Sequence, residues 1–75
     1  MLFLKSKVQN ELDFILAELK NFLANNYKDQ SNSFRKQLGE KAESYYQEGK
    51  LTHAQYRHYQ QLYKQYTDLM KDYHH

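Results

Sequence analysis

Apolar residues return at intervals of three and four along almost the whole chain, strand-like alternation is absent, and no proline interrupts the run. This pattern predicts an all-α fold. On a helical projection Leu4, Val8, Leu12, Ile15, Leu16, Leu19, Phe22 and Leu23 fall within about 120°, the width of a helix that packs on a core. Ser6, with Gln9 three residues later, has the form of a capping box. A first helix is therefore expected over residues 6–26. The chain then turns polar, with Asn25, Asn26, Lys28, Asp29, Gln30, Ser31, Asn32 and Ser33 crowded together. Short polar side chains compete for backbone hydrogen bonds, so a loop is expected over 27–33. A second helix is expected over 34–48, with Phe34, Leu38, Ala42 and Tyr45 on one side and Tyr46 at the margin. Its apolar face is narrow. Gly39, one turn from Ala42, would let a neighbouring helix come close, at a cost of about 1 kcal/mol in helix propensity.

The clearest local signal is Gly49-Lys50-Leu51-Thr52-His53-Ala54-Gln55-Tyr56. Gly49 supplies a left-handed stop, Thr52 and Gln55 form a second capping box, and Leu51 and Tyr56 occupy its two staple positions. A turn over 49–51 this short makes the second and third helices an antiparallel hairpin. Over residues 38–63 the stretch resembles the turn of short helical modules of the SHOCT kind, Gly-x-Leu-Thr followed by an amide and an aromatic residue. The likeness is one of capping, and no function comes with it. The third helix is expected over 53–73. Tyr56, Tyr59, Tyr63, Tyr66, Met70 and Tyr73 are spaced 3, 4, 3, 4 and 3 apart, a heptad-like seam broadened by Leu62 and Leu69. The expected architecture is a single three-helix bundle, or a long helix plus a helical hairpin, either closed on itself or completed as a helical-bundle homodimer.

Composition sharpens that choice. With 75 residues and no cysteine, a monomer buries only about 63% of its chain surface, and disulfides cannot reinforce the core. Self-association is one remedy. Aromatics make up 16% of the chain, as eight Tyr and four Phe without Trp, and seven of the eight tyrosines lie after residue 44. Because a buried hydroxyl without a partner costs roughly 1–3 kcal/mol, a tyrosine seam belongs where rings are dry and hydroxyls are served. Two sites follow: the inside of the bundle, with hydroxyls at its periphery, or the edge of an interface. Phe14 lies outside the first helix's apolar stripe, with Phe3 beside it if the helix reaches so far back. Either the rest of the chain covers it or it anchors a partner.

Candidate chemistry is sparse. There is no Cys nucleophile, two glycines do not make a phosphate loop, and Ser6 and Thr52 are engaged as caps. No catalytic residue, cofactor or metal is therefore expected. His53 and His58 are five apart, about 140° around a helix, and do not form an i, i+4 metal pair. The one-turn carboxylate pairs Glu40 with Glu43 and Asp68 with Asp72 read as solvated faces. The formal charge is +2, too small to imply a polyanion partner by itself. Yet His53, Arg57, Lys64 and Lys71 share an arc of about 40° on the third helix, with Gln60 between them and Asp68 one turn from both lysines.

The leading expectation is a non-enzymatic cytoplasmic protein that acts by protein–protein association, as a homodimer or as an adaptor, regulator or inhibitor of a protein partner. Its contact residues would be Phe14, Tyr59, Tyr63, Tyr66 and Tyr73. The alternative is a nucleic-acid-binding accessory protein using Arg57, Lys64 and Lys71. A membrane partner is not expected: the longest uncharged apolar run past residue 4, Phe14 to Ala17, falls far short of the ~20 residues of a span. Met1-Leu2-Phe3-Leu4 followed by Lys5 and Lys7 lacks the order of a signal peptide. His74 and His75, native or a tag remnant, carry no part of the reading.

Overall fold

The computed structural model describes residues 6–71, so Phe3, Leu4 and Tyr73 lie outside the described residues. It consists of α1 (Lys7–Ala24), α2 (Lys28–Gln47) and α3 (His53–Lys71), with no strand among the described residues. The fold is all-α. Neighbouring helices run antiparallel: Glu11 near the start of α1 meets Lys41 and Tyr45 near the end of α2, while Phe22 stacks on Phe34 at the other end. Likewise Tyr46 meets His53 and Tyr56, and Arg35 meets Tyr63 and Thr67.

Both predicted capping boxes form. The Gln9 N–H donates to Ser6 Oγ at 3.2 Å and the Ser6 N–H to Gln9 Oε1 at 3.4 Å. At α3 the Gln55 N–H reaches Thr52 Oγ1 at 3.1 Å and the Thr52 N–H reaches Gln55 Oε1 at 2.8 Å. Gly49 takes φ +77°, and the N–H groups of Gly49 and Lys50 return to the carbonyls of Tyr46 and Tyr45. This is a Schellman stop.

The expected loop over 27–33 is not there. Instead α1 ends in a second Schellman stop, with Asn26 at φ 61° in the left-handed position and the N–H groups of Asn26 and Tyr27 returning to Leu23 and Phe22. The Tyr27 ring then packs against Phe22, centroids 6.0 Å apart, the hydrophobic contact that accompanies this stop. The reversal needs only Asn25 to Tyr27, and the polar run becomes the first turns of α2. Asp29 sits in the first turn, where its charge favours the helix N-terminus. Ser31, fully buried, donates its hydroxyl to the Tyr27 carbonyl at 2.7 Å. Residues that compete with helix in isolation have their hydrogen bonds met within it.

The core contains Leu12, Ile15 and Leu19 from α1, Leu38 and Ala42 from α2, and Leu51 and Tyr59 from the last turn and α3. Both α1 and α3 lie on α2, and their own backbones barely approach. Side chains bridge them. A large phenol on α3 in place of a leucine is consistent with that separation.

At Gly39 the Tyr63 ring of α3 packs directly on α2. A Cβ placed there would stand 2.7 Å from both Cδ1 and Cε1 of Tyr63. Although Ala is favoured over Gly in a helix by about 1 kcal/mol, Gly39→Ala is expected to destabilise by about 1–3 kcal/mol through overpacking. In a Tyr63→Ala background the same change should become stabilising. Urea denaturation of the four chains reads the sign reversal, and additive effects would contradict it.

Candidate interaction surface

Helical phase sets the roles of the α3 tyrosines, because Tyr59, Tyr63 and Tyr66 fall within about 60° of one another. Tyr59 is only 3% exposed and donates its hydroxyl to Asp13 Oδ1 on α1 at 2.7 Å. Burial first, and the Asp13 bond second, push its phenol well above the ordinary tyrosine range. Both ring and hydroxyl are used inside the chain.

Tyr63 is half-buried against Gly39. The Arg35 guanidinium donates to its hydroxyl at 3.2 Å, to Thr67 Oγ1 at 2.9 Å and to Asn32 Oδ1 at 2.7 Å, and stands 5.4 Å from the ring centroid. Arg35 thus clamps α3 to α2 through neutral oxygens. At the hairpin end Tyr56 stacks on Tyr46 with centroids 4.1 Å apart and planes 5° from parallel. Gln60 donates to the Tyr56 hydroxyl, and the Tyr46 hydroxyl lies 3.2 Å from His53 Nδ1. On the far side of α2, Tyr45 donates to Glu11, which also holds Lys41 at 2.7 Å. Lys41, and then Tyr45, keep the Glu11 carboxyl below its usual value, while the Glu11 bond raises the Tyr45 phenol.

Of the expected contact residues, the structure therefore turns Tyr59 inward, leaves Tyr63 and Tyr66 half-buried against the core, and leaves Phe14 60% exposed. Neither the turn nor α2 covers Phe14. Tyr73 lies outside the described residues. Leu69, which broadened the seam in the sequence, is 62% exposed. Arg57 and Lys64 line a hollow with Gln60, Tyr63 and Thr67, and Lys71 lines the adjoining hollow with Arg35 and the same Thr67. Arg57 and Lys64 thus border a hollow lined by α3 alone, which meets at Thr67 the α2–α3 hollow that Lys71 shares with Arg35. Sequence reasoning missed Arg35, although it shares the flank of α2 that carries Gly39.

His53 and His58 are apart in use: His53 meets Tyr46, and the His58 ring meets the edge of Tyr59. Among the described residues no group of three or more His, Asp or Glu could hold a metal ion, and no helix is long and apolar enough to cross a membrane. In comparisons with known proteins, no family model, curated protein or solved structure matches the chain.

Hydrogen bonds to a charged group contribute about 1.5–3 kcal/mol, so Tyr59→Phe is expected to lower stability by that order. The pH dependence has a definite sign. With its folded value raised, Tyr59 contributes fully below the unfolded value of about 10, and the contribution is lost as pH rises from there toward the folded value. Denaturation between neutral and strongly alkaline pH should show stability falling above about pH 10, less steeply in Tyr59→Phe. Tyr45 and Tyr56, also raised, retain part of the slope.

Proposed function

We propose that this chain is a non-enzymatic helical association protein that works as a homodimer. One observation carries the reading: the flank of α3 on the side away from the Arg35 clamp bears Leu62, Tyr66 and Leu69, with Leu69 62% exposed. From Tyr59, which reaches α1, these three lie within about 80° in the direction opposite to Tyr63 and Thr67. A second copy meeting this flank would cover Leu69 and complete the burial of Leu62 and Tyr66, in the manner of a four-helix bundle.

Phe14 stands about 160° around α1 from the buried Leu12, so self-association through α3 leaves it free to anchor a protein partner. That arrangement makes the dimer an adaptor, regulator or inhibitor. Tyr59 and Tyr63 then act as positioning groups, holding α3 at the angle that displays Leu69. The same reading puts the protein in the cytoplasm, a compartment compatible with a chain free of cysteine.

Sedimentation equilibrium tests the proposal. The expected mass rises with concentration from 9.2 kDa toward twice that value. Leu69→Glu should hold it at 9.2 kDa with the helical circular dichroism unchanged. A mass of one chain at all concentrations, or a dimer indifferent to Leu69→Glu, would sink the reading.

A further inference from the structure

The net charge of +2 conceals an uneven distribution. Two adjoining hollows, one on α3 alone and one between α2 and α3, are bordered by Lys28, Arg35, Arg57, Lys64 and Lys71 against the single acid Asp29, five minus one, or +4. The whole chain carries only +2. The rest of the chain is therefore net negative, and the net positive charge lies along this face. Asp68, one turn from Lys64 and Lys71, lines neither hollow. Glu40 and Glu43, with Lys36, border a neighbouring hollow that shares Gln60 and Tyr63 with the basic one, so the face is polarised along its length.

Arg35 sharpens the contrast. Away from this face Glu11 takes Lys41 and Glu48 takes Lys50. On it, Arg35 is held by Tyr63, Thr67 and Asn32, none of which neutralises its charge. A fixed guanidinium among neutral oxygens, with Lys64 and Lys71 on the facing helix, is a ready counter-charge for a phosphate.

Arg57, Lys64 and Lys71 recur every seven residues, so they form a line of about 21 Å along α3. A polymer with regularly spaced anions matches a line of this kind. A flexible single strand can follow that line with successive phosphates. Tyr63 and the amides of Gln60 and Gln61, on the walls between the cations, offer ring and hydrogen-bonding contacts that unpaired bases accept.

We propose that the basic face formed by α3 and its junction with α2 binds single-stranded nucleic acid, with phosphates on Arg35, Arg57, Lys64 and Lys71 and bases against Tyr63 and Gln60. This goes beyond the association reading and uses the opposite flank of α3. Fluorescence anisotropy with a labelled single-stranded oligonucleotide, its matched duplex and polyglutamate as competitor tests it. Four phosphate contacts at about 0.7 each give an expected slope near −3 in log affinity against log salt between about 50 and 200 mM. Arg57→Ala with Lys64→Ala should weaken binding and reduce the slope by about 1.4, with circular dichroism unchanged. Lys20→Ala on α1 should change neither. No binding at low salt, stronger binding to the duplex, equal competition by polyglutamate, or indifference to the double substitution would each overturn the proposal.

Discussion

A phenol can be buried only where its hydroxyl finds an acceptor or donor, and that constraint organises the side of the molecule where α3 meets the other two helices. Tyr59 reaches across to Asp13, Tyr63 meets Arg35, and Tyr56 receives Gln60. The first two bonds fix the rotation of α3 as well as its distance, and the third, within α3, serves the Tyr56 hydroxyl. A leucine seam would have tolerated sliding and rotation. The tyrosine seam instead sets one orientation, with Gly39 admitting the ring that needs most room. Among the described residues no buried side-chain polar atom is without a partner.

Much of the fold was legible because its signals are local. The Ser6–Gln9 and Thr52–Gln55 boxes and the Gly49 stop involve residues three to five apart, and their geometry follows from the backbone alone. The start of α2 was read too late for a physical reason. Asn, Ser and Asp are ambiguous, favouring turns when isolated and helix beginnings when a stop lies just upstream. The deciding element was Asn26, whose left-handed conformation does what Gly49 does at the next junction. One asparagine among several carries no mark of this in the sequence.

The candidate surfaces were less legible, since they depend on which flank of α3 faces which neighbour. Periodicity identified the tyrosine seam but could not divide it between Tyr59, which is buried, Tyr63 and Tyr66, which are half-buried, and Leu69, which is left outside. Arg35 was missed because an arginine in a polar helix has no distinctive spacing. Its importance comes from Tyr63 and Thr67, 28 and 32 residues away. Likewise, a whole-chain charge averages over faces: the ridge of Arg57, Lys64 and Lys71 shows in the sequence, and only the packing of α2 on α3 adds Arg35 to it.

The central helix is also the least able to stand alone. α2 starts without a side-chain cap, carries a glycine in its middle, and is the most polar of the three. Helix nucleation is costly and such a segment has little intrinsic tendency to overcome it. Its order is imposed by α1 on one flank and by α3 on the other, each delivered by a reversal of a few residues. The two hairpins therefore share a strut that neither could keep if the other opened. Loosening at either outer helix is felt at once in the other, and the chain behaves as one cooperative unit.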